Sequence, residues 1–149
     1  MSGRDMLKRF GDRVGYTESD LENFRDDDPR VRLMEKVAAE SARFSIEALV
    51  VEAKHCNSGY RAGDRFVLDI DGNFISKLCP KRLCVYAISQ LAVPVALVNE
   101  RVSEGLDPNE FHFMRQVRCL DVGAECGGYG GITMKISVIP RNQAPRTAL

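Results

Sequence analysis

Residues 119–139 read CLDVGAECGGYGGITMKISVI. Four glycines surround one tyrosine, and the residues after them decide the fold. A dinucleotide-binding loop carries G-x-G-x-x-G and opens a helix, and a phosphate-binding P-loop ends in lysine and serine or threonine. Here Ile132, Met134, Ile136 and Val138 alternate with Thr133, Lys135 and Ser137, the period of a strand, and no lysine–serine pair closes the loop. The stretch therefore reads as a wide glycine hairpin. It joins a strand over 114–121, with Val117, Cys119 and Arg115 on one face, to a strand over 132–139 that Pro140 ends. Connections this short exclude an all-parallel sheet.

Upstream, Phe44, Ile46, Ala48 and Val50 alternate with polar and small residues and predict a strand over 45–54. A second follows over 65–70, and Asp71-Gly72-Asn73 is a hairpin signal that returns the chain through Phe74-Ile75 towards Cys79. Pro80 suits a helix start, and residues 80–102 are apolar around most of a helical circumference, which predicts a central helix or a subunit interface, kinked at Pro94. Before residue 44 the pattern is helical. The spacing predicts short and longer helices over 20–25 and 29–43, the latter started by Asp26-Asp27-Asp28-Pro29 as a capping run. The first fifteen residues are polar and glycine-punctuated, a segment expected to be mobile or docked on a partner.

The expected architecture is α+β. An antiparallel sheet of four to five strands is packed by one long Pro-kinked helix. Residues 1–43 form a helical arm, 44–140 the α+β domain and 141–149 a polar tail.

The 149 residues carry 21 basic and 21 acidic side chains. That balance offers no basic face for nucleic acid and no attraction to an anionic membrane. The charged start lacks an apolar signal region, and the 83–98 stretch is too short to span a bilayer, so a cytoplasmic location is expected. There the five cysteines are thiols or metal ligands rather than disulfides.

Cys56 ends a strand, Cys79 precedes Pro80, Cys119 lies on a strand and Cys126 opens the glycine run. Those four, with His55 as a substitute, form the candidate metal set, with zinc as the candidate cofactor because tetrahedral thiolate sites suit it. Cys84 reads as core. Cys79, capping a helix beside Lys81 and Arg82, is the candidate reactive thiolate, and Asp121 the candidate carboxylate beside it. Asp64 and Asp71 read as turn residues, and His112, between two phenylalanines, as structural.

From His55 to about residue 139 the chain resembles a family of small, largely uncharacterised bacterial and archaeal proteins. The resemblance rests on Cys56 with Gly59, Gly63-Asp64-Arg65-Phe66, Cys79-Pro80 and Cys119-Leu120-Asp121. It implies a cytoplasmic protein and draws attention to Cys56, Cys79 and Cys119 as a set, without implying a reaction. Two functions fit these residues. One is a small non-catalytic accessory or binding protein that holds a metal through its cysteines and assembles, as a homo-oligomer or with a protein partner, through the 83–98 helix and the arm. The other is a small enzyme or ligand-binding protein built on the Cys79 thiolate.

Overall fold

The computed structural model describes residues 1–141, so the polar tail expected over 141–149 lies, beyond Arg141, outside the described residues. Four antiparallel strands form one sheet: β1 (Phe44–Lys54), β2 (Arg65–Leu68), β3 (Gln116–Arg118) and β4 (Gly131–Pro140), in the order β2-β1-β4-β3. The long partners β1 and β4 form its centre, with Phe44 opposite Pro140 and Lys54 opposite Gly131. A bulge between Val50 and Glu52 shifts the register. The extra residue resets the pleat. Ile46, Ala48 and Val50 point into the core, Val51 is exposed, and the inward parity resumes at Ala53, opposite Ile132.

No fifth strand forms among the described residues. Phe74 makes a single bridge to Leu68, and the Asp69 carboxylate folds the turn between them by accepting the Asn73 N–H. The outer edge of β2 is instead closed by residues 75–79. Ile75 N–H donates to the Val67 carbonyl, and the Cys79 thiol lies beside the same residue.

The expected helix from Pro80 is shorter and interrupted. Residues 80–84 are irregular; α4 spans Val85–Ile88, a 3-10 turn covers Ser89–Leu91, and α5 spans Ala92–Ser103. Pro94 falls in the first turn of α5, where its missing N–H leaves no helical bond broken. The carbonyl it would crowd belongs to Gln90, which lies in the 3-10 turn. Ala87, Leu91, Val98 and Val102 from this segment cover one face of the sheet and meet Ile46, Ala48, Phe66, Met134 and Ile136.

The arm is folded. Helix α1 (Gly3–Val14) begins with a capping box of Ser2 and Asp5, α2 (Glu18–Glu22) with one of Thr17 and Asp20, and α3 (Pro29–Ser41) with Asp28 before Pro29. Such boxes satisfy the backbone donors at a helix start. The first segment is thus not loose. Leu7 is fully buried, α1 packs on α3, and α3 packs on α5 and β1. Gly3 allows the α1–α3 approach, since a Cβ there would strike the Val31 carbonyl. No helix among the described residues is long and apolar enough to cross a membrane.

Candidate functional site

At the end of the β1–β4 pair, where His55 turns the chain out of β1 at a positive φ of 53°, the structure encloses a cavity of about 840 Å³. Its walls come from three regions of the chain. The loop after β1 supplies Cys56, Ser58 and Tyr60. The start of α4 supplies Cys84 to Ala87. The glycine loop supplies Cys119, Asp121 and Tyr129 to Ile132. Tyr86 and Tyr129 are 62% and 82% exposed, so the mouth is aromatic and faces water.

The glycine loop is shaped by one carboxylate. Asp121 Oδ1 accepts the N–H groups of Gly123 and Tyr129, each at 2.9 Å. Those bonds, with a further one from Gly130, hold the Asp121 carboxyl below its usual range. Ala124–Cys126 forms a 3-10 turn across the loop. Gly128 packs against Asp121, and Gly130 against the Lys54 and His55 carbonyls, so closely that neither leaves room for a Cβ. A Cβ on Gly131 would lie 2.6 Å from the Cys119 sulfur. Glycine is required here for close approach rather than for phosphate binding, and Asp121 serves as the loop's internal anchor.

Tyr60 organises the opposite wall. Buried and packed edge-on against Phe66, it donates its hydroxyl to the Arg82 carbonyl at 2.6 Å and accepts the Cys84 N–H at 2.8 Å. These two bonds fix the irregular residues before α4 and so place Cys84. Burial raises the Tyr60 pKa, against the smaller opposing effect of the Cys84 N–H.

The five thiols have different surroundings. Cys79 is not at a helix start: it follows the 3-10 turn Ser76–Leu78 in extended conformation. Its sulfur accepts the Val67 N–H and donates to the Val67 carbonyl, both at 3.3 Å. Burial pushes this thiol up, against the smaller opposing effect of the Val67 N–H. That is the reverse of the thiolate expected from the cap position. Cys119 lines the cavity, but its sulfur accepts the Ile132 N–H at 3.4 Å. Cys126 is exposed on the other side of the glycine loop, near Glu52, Lys54 and Arg118. Cys56 lines the cavity and is half-buried. The four-thiol set of Cys56, Cys79, Cys119 and Cys126 is therefore not assembled, and among the described residues no three His, Cys, Asp or Glu side chains are grouped to hold a metal ion.

Cys84 is the residue the sequence pattern hides. It is the cap residue before α4 and lines the cavity. Partial burial opposes ionisation there, and the nearby Ser58 hydroxyl and the N–H groups of Ala87 and Tyr86 favour it by more, which lowers the thiol's pKa, although the Cys84 side chain makes no cap hydrogen bond to α4. A helix running from Pro80 places Cys84 inside it, among core positions. The available signal is Tyr60, a buried phenol that needs hydrogen-bond partners. Compared with protein-family models, with curated proteins and with solved structures, the chain matches none.

Proposed function

We propose that the chain is a small non-catalytic binding protein whose cavity, between the β1–β4 end and the start of α4, takes an uncharged, partly aromatic small molecule. The observation that carries this reading is the cavity itself. Its volume of about 840 Å³ falls in the roughly 300–1,000 Å³ range of ligand sites. The lining supports an uncharged ligand. The lining surface is mainly apolar, with Tyr60, Tyr86, Tyr129, Val85 and Ile132 beside the polar His55 and Asn57, and Oδ1 of the Asp121 carboxylate accepts backbone N–H groups. Cys56, Cys119 and Asp121, which belong to the pattern of the family resemblance, all line it.

Nile red, an uncharged aromatic dye, tests the reading. The full chain is expected to bind it saturably at one site, with a rise in fluorescence. Ser58→Trp, which puts an indole on the cavity wall, should weaken that binding at an unchanged melting temperature. Tyr129→Ala alters an exposed residue and should weaken binding up to about tenfold, the value of one aromatic contact. Absence of saturable binding in the folded wild type, or equal binding by folded wild type and both folded variants, would overturn it.

A further inference from the structure

A second cavity lies where the helical arm meets the domain. It measures about 770 Å³ and shares no lining residue with the first. Its walls come from α1, α3, α5 and the turn after β2. Helix α3 packs on both α1 and α5, so it floors the cavity and they wall it. The floor is apolar, with Leu33, Met34 and Val37, and Phe10 continues it onto α1. Methionine adapts such a surface to side chains of different shape.

The walls carry opposite charges. Arg9 and Arg13, one helical turn apart on α1, supply the cations; Asp71 in the turn after β2 and Glu100 on α5 supply the carboxylates. Arg30, the third arginine of the lining, is already held by Asp28. Among the described residues, the Arg9, Arg13, Asp71 and Glu100 side chains form no hydrogen bond or ion pair. Arg13 reaches only the Phe10 ring, 5.3 Å from its centroid. Partial burial and the Asp69 charge push the Asp71 carboxyl up, and Arg13 opposes them through space. Two cations and two carboxylates thus border one apolar floor without meeting. An anionic amphiphile leaves the carboxylates unmatched, and a cationic one leaves the arginines unmatched. The complementary ligand has an apolar body and one charge of each sign at its two ends. In a free amino acid both charges sit on one carbon, too close together to reach both walls. Each further residue of an extended peptide adds about 3.3–3.6 Å.

We propose that this cavity binds short apolar peptides, of about two or three residues, through both of their free termini. The peptide carboxylate meets Arg9 and Arg13, the ammonium meets Asp71 and Glu100, and the side chains lie on Leu33, Met34 and Val37. The site is independent of the ligand-binding reading of the first cavity.

Calorimetric titration of the full chain with Leu-Leu at neutral pH tests the proposal. One saturable site with a Kd below about 1 mM is expected. Free leucine, N-acetyl-Leu-Leu and Leu-Leu amide should each bind at least about tenfold more weakly, since each loses a charge-assisted contact. Arg9, Arg13 and Glu100 are exposed, so their glutamine variants should keep the wild-type melting temperature. Arg9→Gln combined with Arg13→Gln should weaken Leu-Leu and leave the amide unchanged, and Glu100→Gln should weaken Leu-Leu and leave the acetylated peptide unchanged. Ser58→Trp should have no effect. Absence of saturable Leu-Leu binding to the folded wild type, equal binding of the free and capped peptides, or variants that weaken capped and free peptides alike would overturn the proposal. Equal affinity for free leucine would overturn it as well.

Discussion

The two thiols bound to strand backbone, Cys79 and Cys119, show how much a cysteine's role depends on a neighbour distant in sequence. Cys79 occupies both backbone groups of Val67 on the edge of β2, a task otherwise met by another strand. Cys79→Ala should leave the Val67 N–H without its partner, while the carbonyl keeps the Ile75 N–H, and cost about 1–3 kcal/mol, measured by urea unfolding. Iodoacetamide should label Cys79 in the folded chain no faster than the chain unfolds. A stable, readily labelled Cys79 would contradict the account of this residue. In the sequence, Cys79-Pro80 has the form of a helix cap because proline suits the first helical turn. The opposing factor is invisible there: Tyr60 binds the Arg82 carbonyl and the Cys84 N–H, and those tertiary bonds hold residues 82–84 out of a helix. The same bonds bring Cys84 to the cavity wall, while it also packs against the core as its sequence position suggests.

At the scale of the element, local rules work where hydrogen bonds are local. The strands β1 and β4, the Pro29 helix and the glycine hairpin follow from alternation, capping residues and turn residues. The bulge at Val51 does not, because its cause lies in the register with β4. The arm helices carry a further consequence of their caps. Asp5 and Asp20 titrate below their ordinary value chiefly through hydrogen bonds from Ser2 and Thr17, and Asp28 through bonds from Arg30. A carboxyl depressed in the folded state stabilises it above the unfolded pKa, near pH 4, and that contribution is lost as pH falls through the folded value. The helical circular-dichroism signal is therefore expected to decline as pH drops from about 5 to about 2. Asp20→Asn, a neutral residue that still caps, should reduce the pH dependence. A flat titration would show that the caps contribute nothing measurable to the arm.

Across the whole molecule, the sequence-based division into an arm and a domain meets a continuous path of packing. Helix α1 rests on α3, and α3 on α5 and β1. Leu7, wholly buried in α1, tests whether that path is energetically continuous. Leu7→Ala should cost about 2–5 kcal/mol and lower the midpoint of one transition that sheet and arm share. A variant that loses helix signal while the sheet keeps its original midpoint would mark the arm as a separate unit. The α+β class and the antiparallel order are legible because turn lengths constrain topology. The cavity is not, since its walls come from regions that alternation and capping cannot place beside one another.

The pairing at the centre of the sheet has a consequence for synthesis. The partner of Phe44 is Pro140, so when β1 and β2 leave the ribosome the middle of the sheet is still untranslated. For that interval the inner edge of β1, with Ile46, Ala48 and Val50 along it, is unpaired. Long-range pairing of this kind slows folding, and an open apolar edge invites association with other chains. The edge closes only when β4, from Gly131 to Pro140, has been released.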